Sequence, residues 1–222
     1  MLQALPQQPS SVRPHNGAFN MKLRECMMLL FVLPIVSSCK KDLAPTNANP
    51  FESKVIIPLK VGNQWTYRIT TFDSSGHTMF YGSLVLSIVN DTVIQNERWF
   101  LWNDGGALYT NRRDGYWLFN NGASLLYVKY PASKGDIYRY GTDSLYAPIT
   151  RIISIDSLIA VPMGIFSCFV HEWREITGDY ISSVSFYSPN IGLIREDLFF
   201  PPLSGHNSYL AGRLELVALT IN

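Results

Sequence analysis

No excess of charge marks this sequence. Its 222 residues carry 18 basic and 17 acidic side chains. That balance leaves no basic stripe for nucleic acid and no electrostatic case for an acidic substrate. Histidine is scarce, and past the first 38 residues only His77, His171 and His206 occur. None has the spacing to a cysteine or carboxylate that zinc sites use. The run His171-Glu172-Trp173-Arg174-Glu175 lacks the second histidine of H-E-x-x-H, and strand alternation would send His171 and Glu172 to opposite faces. A G-x-S-x-G elbow, a phosphate-cradling glycine loop and a calcium-type aspartate ladder are all missing. Two carboxylates distant in sequence are the one catalytic arrangement left open. The expectation is a protein without metal, cofactor or enzymatic activity.

Long apolar runs are missing as well. The longest, residues 26–36, is interrupted by Pro34 and falls short of the about 20 residues a membrane-spanning helix needs. It follows Lys22 and Arg24 and precedes Ser37-Ser38. Positive n-region, short apolar h-region and small residues before a cleavage point make a secretory signal over residues 21–38. Residues 1–20, with Pro6, Pro9 and Pro14 and no apolar period, are read as a mis-assigned start ahead of Met21 or as disordered. Val36-Ser37-Ser38-Cys39 resembles the lipobox of bacterial lipoproteins. The resemblance implies that Cys39 receives acyl chains and becomes the mature amino end. Several chains are needed, because one gives only marginal membrane binding. Lys40, rather than aspartate, after the cysteine implies sorting to the outer membrane. Residues 39–54 form the lipidated cysteine and a polar tether.

Removal of the first 38 residues leaves 184, enough for one domain at 55–222. Cys26 leaves with the signal and Cys39 is acylated, so Cys168 has no partner for a disulfide. It sits between Phe166 and Val170 at strand spacing and reads as a small buried hydrophobe.

From Pro58 onward the pattern is one of short strands. Trp65, Tyr67 and Ile69 alternate with polar residues, as in a half-buried strand. Asn90-Asp91 is read as ending the second strand, and the third as running over 93–102. Asp114-Gly115 and Asn121-Gly122 are hairpin signals. About ten or eleven strands follow one another at near-regular spacing, with no helical period of three turns. An all-β, mostly antiparallel domain is predicted. The two strongest neighbouring strands, 149–161 and 165–175, flank Pro162-Met163-Gly164. They are expected to pair as a hairpin near the centre of the sheet, with Ile155 and Phe166 buried.

Aromatic residues are what the chain has in plenty. The mature part holds 27 of them: 10 Phe, 12 Tyr and 5 Trp. Most belong to core and cross-strand pairs. Trp99, Trp102, Tyr116 and Trp117 are the candidates for ligand contact, because 99–102 and 116–119 are bulky on both faces.

Residues 58–67, 161–168 and 186–194 together resemble a group of lipid-anchored or secreted bacterial proteins of unknown function. Their domains are similar to the half-barrel of lipoprotein carriers, a sheet curled around an apolar concavity. The resemblance implies a membrane-anchored, non-catalytic binding or assembly module whose partners are the membrane, through Cys39, and an apolar or glycan ligand. A lipoprotein that docks a partner protein is the alternative, and a carbohydrate hydrolase stands third.

Overall fold

A computed structural model describes residues 55–139, 148–175, 180–201 and 208–222. All of them belong to the unit Ala48–Asn222, the second of two into which the chain divides. The segment 1–20, the signal at 21–38, Cys39 with its tether to 54, and His206 lie outside the described residues.

Twelve strands, and no helix among the described residues, follow in order: β1 (Gln64–Phe72), β2 (Thr78–Ile94), β3 (Glu97–Trp102), β4 (Leu108–Arg112), β5 (Gly115–Asn120), β6 (Ala123–Lys129), β7 (Ile137–Arg139), β8 (Ile149–Val161), β9 (Gly164–Glu175), β10 (Tyr180–Ser188), β11 (Gly192–Phe200) and β12 (Tyr209–Thr220). They form a single sheet ordered β6-β5-β4-β3-β2-β1-β12-β11-β10-β9-β8-β7, and every described pair is antiparallel. The sheet curls until its two edges meet. Lys129, at the end of β6, pairs with Asp136 just before β7 at 2.8 Å. The Tyr138 hydroxyl of β7 donates to the Tyr127 carbonyl of β6 at 3.2 Å. Side chains rather than a backbone ladder bring the edges together, so the barrel is nearly closed. Curling also removes the exposed edges through which flat sheets aggregate.

The second strand differs from the expectation. Asn90-Asp91 does not end β2, which runs on to Ile94. The chain reverses at Gln95-Asn96, both at positive φ (50° and 65°), the backbone of a tight two-residue hairpin. Asparagine tolerates that region. The Asn90-Asp91 signal marks a shift of pairing between Ile88 and Asn90 instead.

One end of the barrel is closed by chain. Residues 55–63 cross it, with Ile56 and Ile57 buried. Asn190 donates its amide to the Val55 carbonyl at 2.8 Å, Asn111 Nδ2 donates to the Ile57 carbonyl at 2.8 Å, and Gly62 N–H donates to the Ile88 carbonyl at 2.8 Å. The β8–β9 hairpin bends over the same end, and its Met163 amide donates to the Leu216 carbonyl of β12 at 3.2 Å. Ile159, Val161, Met163 and Phe166 pack there against the core.

That hairpin pairs as expected, with Val161 opposite Gly164, but it is not central. Only β7 lies between it and the sheet edge. Phe166 is half-buried and Ile155 is 40% exposed. Thr150 and Ile152 are buried, so Ile155 falls in the outward phase with Arg151 and Ile153, and the pairing shift between Ser154 and Ser157 puts Ser157, Ile159 and Val161 in the inward phase beyond it. Cys168 is fully buried, and burial pushes its thiol up to about 12.

Candidate functional site

Strand alternation sorts side chains into lumen and outer face, and the four ligand-contact candidates are split by it. Trp102 and Tyr116 point inward. The Trp102 indole N–H donates to the Tyr116 hydroxyl at 2.9 Å, and both are buried. Trp99 and Trp117 point outward. Trp99 packs on Phe119 with ring centroids 5.3 Å apart. The Arg112 guanidinium lies 5.3 Å from the Trp99 ring and 4.4 Å from that of Trp117. Glu97 holds that guanidinium by two bonds of 2.9 and 2.7 Å, and the Trp117 indole N–H donates to Asp114 at 2.9 Å. The Arg112 Nη2 also donates to Ser124 Oγ at 3.2 Å. This clasp fastens the outside of β3–β5 and offers a ligand little.

Inside, tyrosine hydroxyls and indoles face a cavity of about 190 Å³. Trp65 and Tyr67 of β1 enter it from the side, anchored by bonds from the indole N–H to the Ile191 carbonyl (2.7 Å) and from the hydroxyl to the Leu193 carbonyl (3.0 Å). Trp65 and Trp102 meet at 4.8 Å. Tyr109 and Tyr116 stack at 5.0 Å with planes 4° apart, and Tyr127 closes on both at 6.2 and 6.1 Å. Such ring pairs each contribute on the order of 1 kcal/mol beyond the area they bury, so the wall is stiff. Aliphatic Leu86, Leu193 and Leu214 complete it, with Ile57 forming the floor toward the closed end. Exposed Asp104, in the β3–β4 turn, lies at the opposite rim.

A second lobe of about 310 Å³ adjoins the first and shares Tyr127 and Glu196 with it. Trp173, Ser183 and Glu175 line this lobe. Glu196 therefore stands between the two. The Trp173 indole N–H donates to Ser185 Oγ, and that hydroxyl donates on to Glu196 Oε1, each at 3.1 Å. Burial, with the nearby charge of Asp197, raises the Glu196 carboxyl above its usual range against the pull of the serine bonds. Burial likewise raises the Tyr67 and Tyr187 hydroxyls, with the Glu196 charge adding to it. These phenols stay neutral donors throughout the physiological range.

Deeper in the wall, His171 is fully buried and burial lowers its pKa to about 3. Its Nδ1 lies 3.0 Å from the Tyr138 hydroxyl, while Nε2 has no partner. Every donor is satisfied if Tyr138 O–H goes to the Tyr127 carbonyl and Nδ1–H to the Tyr138 oxygen. Nε2 is then a bare lone pair, cheaper to bury than an unbonded N–H. Glu172, next in sequence, faces outward and meets Arg174 at 3.5 Å. The two residues take opposite faces, as alternation requires.

Sequence reasoning missed most of this wall. Tyr109, Tyr127, Tyr187 and Glu196 come from four strands spread over 88 positions, and only the barrel's register unites them. What the sequence did show of it was Trp65 and Tyr67, same-face neighbours on β1, and Trp102 and Tyr116, marked out by their bulk.

No protein family and no curated protein matches this chain. Among solved structures it is similar to a candidate lipoprotein from Parabacteroides distasonis at 13% identity and a TM-score of 0.42, over 76% of this chain and 100% of that one.

Proposed function

We propose that this protein is an outer-membrane lipoprotein, anchored through Cys39, whose barrel binds a small ligand in its lumen without catalysing a reaction. The observation that carries the reading is the two-lobed lumen itself. Seven aromatic side chains line its first lobe, in a barrel whose other end is packed shut. The anchor rests on residues 21–39 of the sequence. With the adjoining lobes of about 190 and about 310 Å³, the lumen falls within the 300–1,000 Å³ usual for small-molecule sites.

The alternatives are weaker. In the outer aromatic clasp the Arg112 guanidinium and the Trp117 indole are already bonded to Glu97 and Asp114, which speaks against a docking face there. Glu196 and Asp104 line one lobe, but a hydrolase would need one of them placed as acid and the other as base or nucleophile, and Asp104 sits in an exposed turn.

Two measurements test the proposal. The anchor predicts that Cys39→Ala protein leaves the membrane fraction and incorporates no labelled fatty acid; retention of both would refute it. The lumen predicts that native mass spectrometry of the purified full chain finds a small molecule released on denaturation.

A further inference from the structure

The lumen's charge has one sign. Among the described residues no lysine or arginine lines either lobe, whereas Asp104, Glu175 and Glu196 do. The arginines of the neighbouring strands are turned outward and already paired: Arg68 with Glu215 at 2.6 Å, Arg213 with Asp197 at 2.6 Å, and Arg112 with Glu97 at 2.7 Å. A carboxyl set among aromatic rings, with the hydroxyls of Ser185 and Ser183 as its side-chain donors, lacks the cation that partly buried acids ordinarily pair with. Ring faces attract cations through their quadrupole, and the attraction grows when water is excluded. The two features together describe a receptor for positive charge.

Resting on the lumen reading above, we infer that the ligand is a small organic cation, a quaternary ammonium or alkylamine. Its charged head lies at Glu196 between the lobes, against the rings of Tyr127, Tyr67 and Tyr187. A neutral sugar would use the same rings and donate hydroxyls to the carboxyl, but it would leave the carboxylate's charge without a counter-charge. An anion would meet three carboxylates and no counter-charge.

The test compares choline with 3,3-dimethylbutan-1-ol, which has the same shape without the charge, by calorimetric titration of the purified full chain. Choline is expected to bind at least about tenfold more tightly than the alcohol. Glu196→Gln, which keeps the acceptor oxygen for Ser185, should erase that difference, whereas Glu215→Gln on the outer face should leave it intact. The comparison on the unmodified chain stands whether or not the variant folds. Equal affinity for the two probes would overturn the cation assignment and leave the lumen site standing. So would binding of neither, if native mass spectrometry still shows a neutral compound in the protein. Binding of neither probe with no co-purified compound would overturn both.

Discussion

Asp197 holds together the outer face of β11 and β12. Its carboxylate accepts from Arg195 Nε at 3.0 Å and from Arg213 Nε at 2.6 Å, and both guanidiniums add a second bond to its other oxygen. Burial works to raise its pKa, but the two guanidiniums hold it below the usual range. Asp197→Asn keeps the shape and leaves Arg195 and Arg213 facing each other without a counter-charge. The expected loss is about 2 kcal/mol of unfolding free energy, since bonds to charged groups each contribute about 1.5–3 kcal/mol. Urea unfolding at pH 7 measures it. The stability this residue contributes is present above about pH 4, the unfolded carboxyl's pKa, and is lost as pH falls from there through the lower folded value.

His171 acts in a higher window. Its folded pKa, about 3, lies below the about 6.5 of the unfolded chain. Between those values the unfolded state binds the extra proton, so stability falls as pH falls, by at most about 1.4 kcal/mol per unit. Glu196 works the other way. Its raised pKa favours the fold at low pH and loses that advantage as pH rises through the folded value. Subtracting a His171→Gln profile isolates the histidine. The unmodified protein should lose more stability between pH 7 and 5 than the variant, and parallel profiles would contradict a buried neutral imidazole.

At the level of strands and turns, two glycines separate backbone strain from collision. Gly164 closes the Pro162-Met163 turn at φ 146°, and a Cβ there would meet nothing nearer than 3.8 Å. Gly164→Val is expected to cost on the order of 1–3 kcal/mol by strain alone. Gly115 opens β5 at φ 154°, and its Cβ would lie 2.2 Å from the Val128 carbonyl oxygen. Gly115→Ala combines strain with a clash that only backbone movement relieves, so it should lower the thermal midpoint more than Gly164→Val despite the smaller side chain. The opposite ranking would mean that β5 and β6 yield easily.

The same strands show what the sequence made legible. Asp114-Gly115, Asn121-Gly122 and Pro162-Met163-Gly164 announced their hairpins, because turn chemistry is local. The phase of β8 was not legible. Its pairing shift between Ser154 and Ser157 has no residue signature, and it separates Ile155 from the inward phase of Ser157, Ile159 and Val161. Nor was the place of that hairpin in the sheet, since the order of strands depends on pairings such as β1 with β12, which link residues about 150 positions apart.

For the molecule as a whole, the all-β class and the antiparallel pairing followed from strand spacing and short links, and the curl from the resemblance to the half-barrel group. The lumen did not, because it exists only once twelve strands have curled until β6 meets β7. Trp102 and Tyr116 were found from bulk alone; Trp99 and Trp117 have the same bulk but the opposite phase. Segment 55–63, which closes one end, reads in sequence as an approach to the first strand. Its burial of Ile56 and Ile57 appears only in three dimensions.

Filling the lumen tests its role most directly. Leu214 lines the first lobe, and Leu214→Trp would fill part of its about 190 Å³ without altering the outer ion pairs. Native mass spectrometry of the two proteins, at matched thermal midpoints, compares their bound mass. A lumen that binds predicts a small-molecule adduct on the unmodified chain that is absent from Leu214→Trp. An adduct held equally by both, or by neither, would contradict it.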